Sequence, residues 1–234
     1  MADPSIRLSN SATQTTAGAN ISVGITGTPV NGELILFIVG WNETPSFSTP
    51  AVTGFSTIAS IVTADFNPLY ILGKIASGEG ANPTYTCSFT GGTKDGGSSA
   101  VVLIFQNANS SLPTNTASTH DTTASTSYSI PALTTAKAGS FDLVAVTPDG
   151  NNGTGPPNFS AWGTSLAELF DISPSSPNNY AQLGVAGVTR ASAGSQSATT
   201  VTGVSNDKNV ALRIEVEPAA AATTVKTLAS LGVG

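Results

Sequence analysis

The sequence predicts an all-β protein, an antiparallel sandwich of two sheets with a jelly-roll-like course, and three observations carry this prediction. Short apolar runs recur with turn residues between them, whereas helical periodicity is nearly absent. Turn-forming residues are frequent, with 24 Gly and 14 Pro among 234 residues. Charged residues make up 9% of the chain, against roughly 25% in an ordinary domain. Ser, Thr, Asn and Gly therefore have to supply the polar faces.

The first half of the chain contains strands of two kinds. Ile21, Val23 and Ile25 alternate with small or polar residues, which predicts a strand with one solvated face. After a turn over 28–32, the run 34–39 has no polar residue, and the run 100–105 repeats that pattern. A strand that is apolar on both faces must be covered on both. Further strands are predicted at 56–62, 68–76, 84–89 and 99–105.

A long polar stretch spans 107–126 and consists mainly of Asn, Ser, Thr and Ala. It is either a linker between two domains or a crossover between the sheets of one sandwich. We favour the crossover, because the first half has too few amphipathic strands to close two sheets by itself.

The second half predicts six more strands, at 127–130, 141–147, 166–172, 180–188, 198–204 and 209–216. In the last one, Val210, Leu212 and Ile214 alternate with residues that include Arg213 and Glu215, which predicts a half-buried strand. Pro218 ends it, since proline cannot donate to a sheet ladder. The chain is thus divided into an N-terminal segment 1–18, a single sandwich domain 19–217 and a C-terminal arm 218–234.

The end of the arm allows two interpretations. Residues 219–234 form either a disordered terminus or an arm that docks on a neighbouring subunit. In a docking arm, three apolar residues at a spacing of three would form the contact stripe, namely Val225, Leu228 and Leu231.

Charge and cysteine content exclude several classes of partner. The net charge is −6, and the eight basic residues are scattered singly, so neither nucleic acid nor an anionic membrane is expected as a partner. No apolar run approaches the ~18 residues of a membrane span, and no signal peptide is recognisable.

The single cysteine, Cys87, alternates with Tyr85 and Phe89 and is predicted to be buried. The lack of disulfides fits synthesis in a reducing cytosol.

Candidates for chemistry are few. The only histidine, His120, is predicted to lie in a solvated loop beside Asp121. Asp149 with Asn151 and Asn152, or Asp171 alone, offers too few carboxylates for calcium. A β-sandwich normally carries as many scattered carboxylates as this chain does, so they do not indicate a glycosidase; they are Glu33, Glu43, Glu79, Glu168 and Asp171. We therefore predict no catalytic residue, no metal, no cofactor and no enzymatic activity.

Several segments resemble one family. The stretch 32–38 has a small turn, Gly32-Glu33 and then an apolar strand; 69–79 has a strand ending in Lys74-Ile75-Ala76 and a Gly78-Glu79 turn. With the strands at 84–89 and 100–105, these features resemble the β-sandwich structural proteins of tailed bacteriophages, which occur as capsid decoration proteins and as tail or fibre components. The resemblance covers roughly 20–216. The family's proline and Gly-Trp before its third strand are only echoed by Thr53-Gly54-Phe55, and the family has no catalytic motif to transfer.

The resemblance implies a non-enzymatic virion structural protein, made in the host cytoplasm, that decorates or cements a capsid. Its expected partners are the major capsid protein or another virion protein, together with further copies of itself, a trimer at a local threefold position being favoured. Apolar surface buried at such contacts stabilises them by about 25 cal/mol per Å². The predicted contacts are the outward residues of the first two-faced strand and the arm: Ile35, Phe37, Val39, Val225, Leu228 and Leu231.

An adhesion module is the alternative. A tail-fibre tip that binds a host-surface glycan would use aromatic side chains beside the Asn-rich loop 148–158. The candidates are Trp41, Trp162 and Tyr180, although core or rim positions are the other interpretation of the two tryptophans.

Overall fold

The computed structural model describes residues 2–16, 18–42, 49–63, 67–90, 96–149, 159–163, 165–174 and 181–220. This part of the chain contains sixteen strands and no helix, so the all-β prediction is confirmed. The strands of the first half are β1 (Ser5–Gln14), β2 (Ile21–Gly24), β3 (Leu34–Trp41), β4 (Thr49–Val52), β5 (Ser56–Ile61), β6 (Leu69–Ile75), β7 (Thr84–Thr90) and β8 (Ser98–Gln106). Those of the second half are β9 (Thr116–Ile130), β10 (Leu133–Thr135), β11 (Ser140–Pro148), β12 (Phe159–Ser160), β13 (Ala167–Ile172), β14 (Leu183–Arg190), β15 (Gly194–Gln196) and β16 (Thr199–Val216).

The strands form four antiparallel sheets. A five-stranded sheet has the order β1-β8-β3-β6-β5, and a three-stranded sheet has the order β2-β7-β4. A six-stranded sheet has the order β12-β16-β11-β14-β13, with β9 also paired to β16. β10 and β15 form a separate pair.

The main hydrophobic core lies between the five-stranded and six-stranded sheets. Leucines from both sheets meet there, among them Leu36, Leu103, Leu143 and Leu212, all essentially without solvent exposure. Two further cores lie on the opposite faces of these sheets. Each of the two central sheets is therefore covered on both faces by the same chain.

The second core packs the five-stranded sheet against β2-β7-β4, with Val39 and Val102 beneath Tyr85 and Cys87. The prediction that Cys87 is buried is confirmed. The third core packs Val144 and Ala211 of the six-stranded sheet against an outer layer that includes Tyr128, Phe159 and Val201.

The two halves of the chain repeat one strand order. The order β1-β8-β3-β6-β5 in the first half corresponds to β9-β16-β11-β14-β13 in the second. Residues 116–121 of β9 pair with 209–214 of β16, and a register shift then lets 127–130 pair with 199–202. β12 pairs with 202–203 of β16, on the other side of that second stretch. These three segments form an outer layer in the order 127–130, 199–203, β12. The order corresponds to β2-β7-β4 in the first half.

The repeat extends to single residues. In the first half, Ser56 of β5 pairs with Gly73 of β6, and a bulge between Thr57 and Ala59 follows. In the second half, Ala167 of β13 pairs with Gly187 of β14, and a bulge between Glu168 and Phe170 follows in the same place. The two halves are therefore equivalent in register as well as in order, although their sequences show no evident repeat.

The turn before the third strand is also repeated. Gly32 and Gly139 both have positive φ, at 90° and 78°, a conformation that glycine adopts without steric cost. Their amides donate to the carbonyls of Ala76 and Arg190, with N–O distances of 2.9 and 2.8 Å. Because β1 lies over β13 and β5 over β9, the two halves are related by an approximate two-fold axis near β3 and β11.

Several expectations from the sequence need correction. The segment 1–18, expected outside the sheets, contains β1, because Leu8 and Ala12 pack on the second core. The polar stretch 107–126 crosses between the sheets only over 107–115, and β9 begins at Thr116. His120 accordingly lies in a strand, opposite Val210, and not in a loop.

A strand does span 209–216, but the prediction that it is half-buried is wrong. These residues of β16 are buried on both faces, because the strand lies between β11 and β9 with a core on either side. The short strands β4, β10, β12 and β15 were not predicted, since two to four residues are too few to show a period.

Candidate functional site

Hydroxyl side chains recur on the outer faces of the two outer layers. On β2-β7-β4 the exposed side chains are small and uncharged, and the Oγ of Ser22 lies 2.8 Å from the Oγ1 of Thr86 across the strands. The exposed hydroxyl residues there are Ser22, Thr49, Thr84, Thr86 and Thr90. The described residues of these three strands can exchange hydrogen bonds through this face, and none of them adds an acid, base or charge to it.

The second half presents an equivalent face. Its exposed hydroxyl residues are Ser127, Ser160, Thr200 and Thr202. Because the two central sheets lie between the outer layers, the two hydroxyl faces point in opposite directions. The molecule is therefore two-sided. Both sides carry hydroxyl groups, and the second side also carries Val204, which is 52% exposed.

The apolar contact residues predicted on the first two-faced strand are not on the surface. Ile35, Phe37 and Val39 have no solvent exposure and lie beneath β2-β7-β4. The strand needs a cover on its second face, as expected, but the same chain supplies it. These three side chains therefore offer no surface to a partner.

The other predicted contacts belong to the arm. Val225, Leu228 and Leu231 lie outside the described residues. The root of the arm is anchored on the crossover: the amide of Ala219 donates to the carbonyl of Asn107, and that of Asn109 to the carbonyl of Glu217, both at 2.8 Å.

The aromatic residues of the glycan alternative are separated. Trp41 has no solvent exposure, and its ring centroid lies 5.5 Å from that of Tyr70 and 5.1 Å from that of Phe89. Trp162 is partly buried, and its Nε1 donates to the exposed carboxylate of Glu168 at 2.9 Å. Tyr180 lies outside the described residues. Of the two candidates that the structure describes, Trp162 is the one placed where a sugar could touch it.

The carboxylates considered as catalytic candidates have structural roles. Four of the five lie in the described ranges, while Glu43 lies outside them, as do Asn151 and Asn152 of the calcium alternative. Each of the four has a partner within the chain: Glu33 binds Arg7, Glu79 binds Lys74, Glu168 accepts from Trp162, and Asp171 accepts from the amide of Phe159.

A buried ionic group that the sequence did not indicate joins three strands of the second half. Asp142 of β11 and Arg213 of β16 are both fully buried, with N–O distances of 2.8 and 2.7 Å in a bidentate pair. Arg190 of β14 also binds Asp142, at 2.6 Å. Arg213 donates further to the carbonyls of Pro131 and Ser197. The alternation in 209–216 predicted Arg213 on the solvated face of a half-buried strand, and nothing in the sequence around Asp142 signals a pair.

A second buried carboxylate holds the turn before β11. Glu215 accepts from Ser140 Oγ at 2.6 Å, from the amides of Ala136 and Lys137, and from Asn115 Nδ2. Burial alone would raise the pKa of Glu215, but these hydrogen bonds outweigh it, so its pKa lies below the usual value.

We expect the Glu215→Gln variant to be less stable at neutral pH by about 1.5–3 kcal/mol, because it loses hydrogen bonds to a charged group. The parent's free energy of unfolding should fall as the pH drops below the ordinary glutamate pKa of about 4.3. The sign follows from linkage: the depressed folded-state pKa makes the unfolded chain take up the proton first.

Urea titrations across that pH range measure the effect. The acid-dependent loss should be smaller in Glu215→Gln than in the parent. Glu168→Gln, which removes an exposed carboxylate, is the matched control for loss of one negative charge. Equal acid dependence in the parent and in Glu215→Gln would contradict the assignment.

No family model, curated protein or solved structure matches this chain. In the described ranges, His, Cys, Asp and Glu nowhere gather in a group of three that could hold a metal ion. Over the same residues, no helix has the length and apolar character needed to cross a membrane.

Proposed function

We propose that the protein is a non-enzymatic virion structural protein that decorates the outer shell of a capsid, and that each half is a jelly-roll sandwich. One observation carries the proposal. In the first half, β8 lies between β1 and β3, and β7 lies between β2 and β4. In the second half, 209–216 of β16 lies between β9 and β11, and 199–203 of β16 lies between 127–130 of β9 and β12. Jelly rolls wind eight strands in this manner, and they recur in viral capsid and lectin domains. The fifth strand departs from that order, since it pairs with the sixth.

The chemistry of the surface supports a contact protein. The buried acids Glu33, Asp142 and Glu215 stabilise turns and strands. The two outer faces carry hydroxyl groups, which form hydrogen bonds without the salt sensitivity of exposed charges. A subunit that must remain attached to a shell over a range of ionic strength benefits from such contacts.

The expected partner is the major capsid protein or another virion protein, after synthesis in the host cytoplasm. The hydroxyl faces and the arm beyond Ala219 are the proposed contact regions. Further copies of the same chain are proposed as additional partners.

Purified particles test the proposal. We expect hundreds of copies per particle, with an antibody against this chain labelling the outer shell in electron micrographs. A handful of copies confined to the tail would instead indicate a fibre or tail component. Absence from particles would overturn the virion assignment.

The arm has its own test in the same particles. A chain that lacks 219–234 should be retained less well during heating or dilution than the parent. The full-length variant Val225→Ser/Leu228→Ser/Leu231→Ser is the matched control for the apolar stripe alone. Unchanged retention of both variants would remove the arm from the contact.

A further inference from the structure

One part of the second half lies apart from the three hydrophobic cores. β10 and β15 pair with each other, and in the described ranges neither pairs with a strand of the large sheets. They join the segments 131–139 and 191–198, which together we call the flap, and β10 lies against β16. Leu133 of the flap is buried but is not among the residues of the three cores, and the six alanines of the flap are exposed. Apolar burial therefore contributes little to holding the flap on the sheet.

Hydrogen bonds to two buried side chains of β16 hold the flap instead. Glu215 accepts from the amides of Ala136 and Lys137 at 2.9 and 3.0 Å. Arg213 donates from Nη1 to one carbonyl in each flap segment, at 2.8 and 3.1 Å. The side-chain amide of Asn115 donates to a flap carbonyl at 2.7 Å and also to Glu215. The position of the flap therefore depends on charged groups more than on apolar packing.

The corresponding turn of the first half, 25–32, has a similar charged attachment and a core residue in addition. Glu33 and Arg7 each bind one backbone group of this turn. Ile25 is 2% exposed and belongs to the second core. The register places Pro131 at the position of Ile25, and Pro131 is not among the residues of the third core. The two turns therefore differ in their apolar anchor.

We propose that the flap is an acid-sensitive conformational switch, which opens as a unit when Glu215 takes up a proton while the three cores stay closed. Ile130 pairs with Thr199 at one end of the flap. At the other end the amide of Gly139 donates to the carbonyl of Arg190 at 2.8 Å, so only the residues between these points move. A carboxylate accepts hydrogen bonds at both oxygens, whereas a protonated carboxyl group uses one of them to hold a hydrogen. The inference does not rest on the proposed virion function.

The charges around Glu215 set the direction of the pH response. The charged side chains there are Asp142 of β11, Arg213 of β16, Arg190 of β14, Lys137 of the flap and Asp3, whose carboxylate lies against Gly139. Arginine keeps its charge at every pH of interest, and Lys137 and Asp3 are exposed. Burial alone would raise the pKa of Glu215, but its hydrogen bonds outweigh that effect and lower the pKa. The attachment is therefore complete above the ordinary glutamate pKa of about 4.3 and is lost as the pH falls through the lower pKa of the folded state.

Hydrogen exchange of the full chain, followed by mass spectrometry on peptides from the flap, measures its opening. In the parent, flap exchange at neutral pH should not change with urea below the unfolding transition, because a local opening exposes little surface. Exchange of β3, which opens only with the whole molecule, should rise with urea. After correction for the intrinsic exchange rate, flap protection should fall about tenfold or more from about pH 6 to about pH 3.

Two variants assign the response to Glu215. Glu215→Gln should raise flap exchange at neutral pH about tenfold or more and make flap protection nearly independent of pH. Glu33→Gln, the matched control at the turn 25–32, should leave flap exchange at the parental rate. If Glu215→Gln does not fold by circular dichroism, Asn115→Ala replaces it and should also speed flap exchange at neutral pH.

Flap exchange that rises with urea in parallel with β3 would overturn the inference, because the flap would then open only by global unfolding. Flap protection that is independent of pH in the parent, or parental flap exchange in the variant used, would overturn it as well. None of these outcomes bears on whether the chain is found on particles, so the virion proposal is tested separately.

Discussion

The Asp142→Ala variant should lose about 3–5 kcal/mol of unfolding free energy, the cost of leaving one partner of a buried ion pair without its counterion. Arg213 has no solvent exposure and donates to both oxygens of Asp142. After the substitution its guanidinium stays buried. It keeps the hydrogen bonds from Nη1 to the carbonyls of Pro131 and Ser197 but loses its carboxylate partner. Urea denaturation at neutral pH measures the loss.

Two controls separate the buried charge from general damage. Glu79→Gln breaks the more exposed pair with Lys74 and should cost about 1 kcal/mol or less. The double variant Asp142→Leu/Arg213→Met removes both buried charges and should recover part of the loss. If Asp142→Ala costs no more than Glu79→Gln, Asp142 is not the electrostatic centre of the second half.

The Phe37→Ala variant should be destabilised by about 3–5 kcal/mol, the usual cost of emptying a packed aromatic position. Phe37 has no solvent exposure, and its ring lies edge-on to Phe55 with centroids 6.4 Å apart. The loss should be the same at every protein concentration, because the contact lies within one chain.

Thermal and urea unfolding at several concentrations distinguish this core role from the contact role first expected of Phe37. Thr86→Ala, on the exposed face of the outer layer β2-β7-β4 that covers Phe37, is the control and should change stability by no more than about 0.5 kcal/mol. A Phe37→Ala protein with parental stability but altered self-association would restore the contact interpretation.

The sequence predicted the long strands because their apolar runs are strong. It identified most of β3, β6, β7, β8 and β11, and the requirement that β3 be covered on both faces. It did not indicate which molecule supplies the cover, because an apolar run is the same whether its second face meets another sheet or another subunit. Phe37 was assigned to the surface for that reason.

The repeated architecture escaped prediction for a different reason. Equivalent positions carry unlike residues, such as Asn10 and Ala117 or Gly40 and Thr147, so only strand order and register reveal the relation. Buried charges were missed because a single Asp142 or Arg213 in an apolar strand has the pattern of a solvated face. The partners of these residues are distant in sequence, 71 positions apart, and no local pattern connects them.

The connection over 107–115 has a consequence for how the two halves stay together. If the two halves were separate chains, their packing against each other would be a binding equilibrium that weakens on dilution. A short covalent tether instead holds each half at an effective concentration on the order of millimolar from the other. The packing of the two halves against each other is therefore independent of protein concentration.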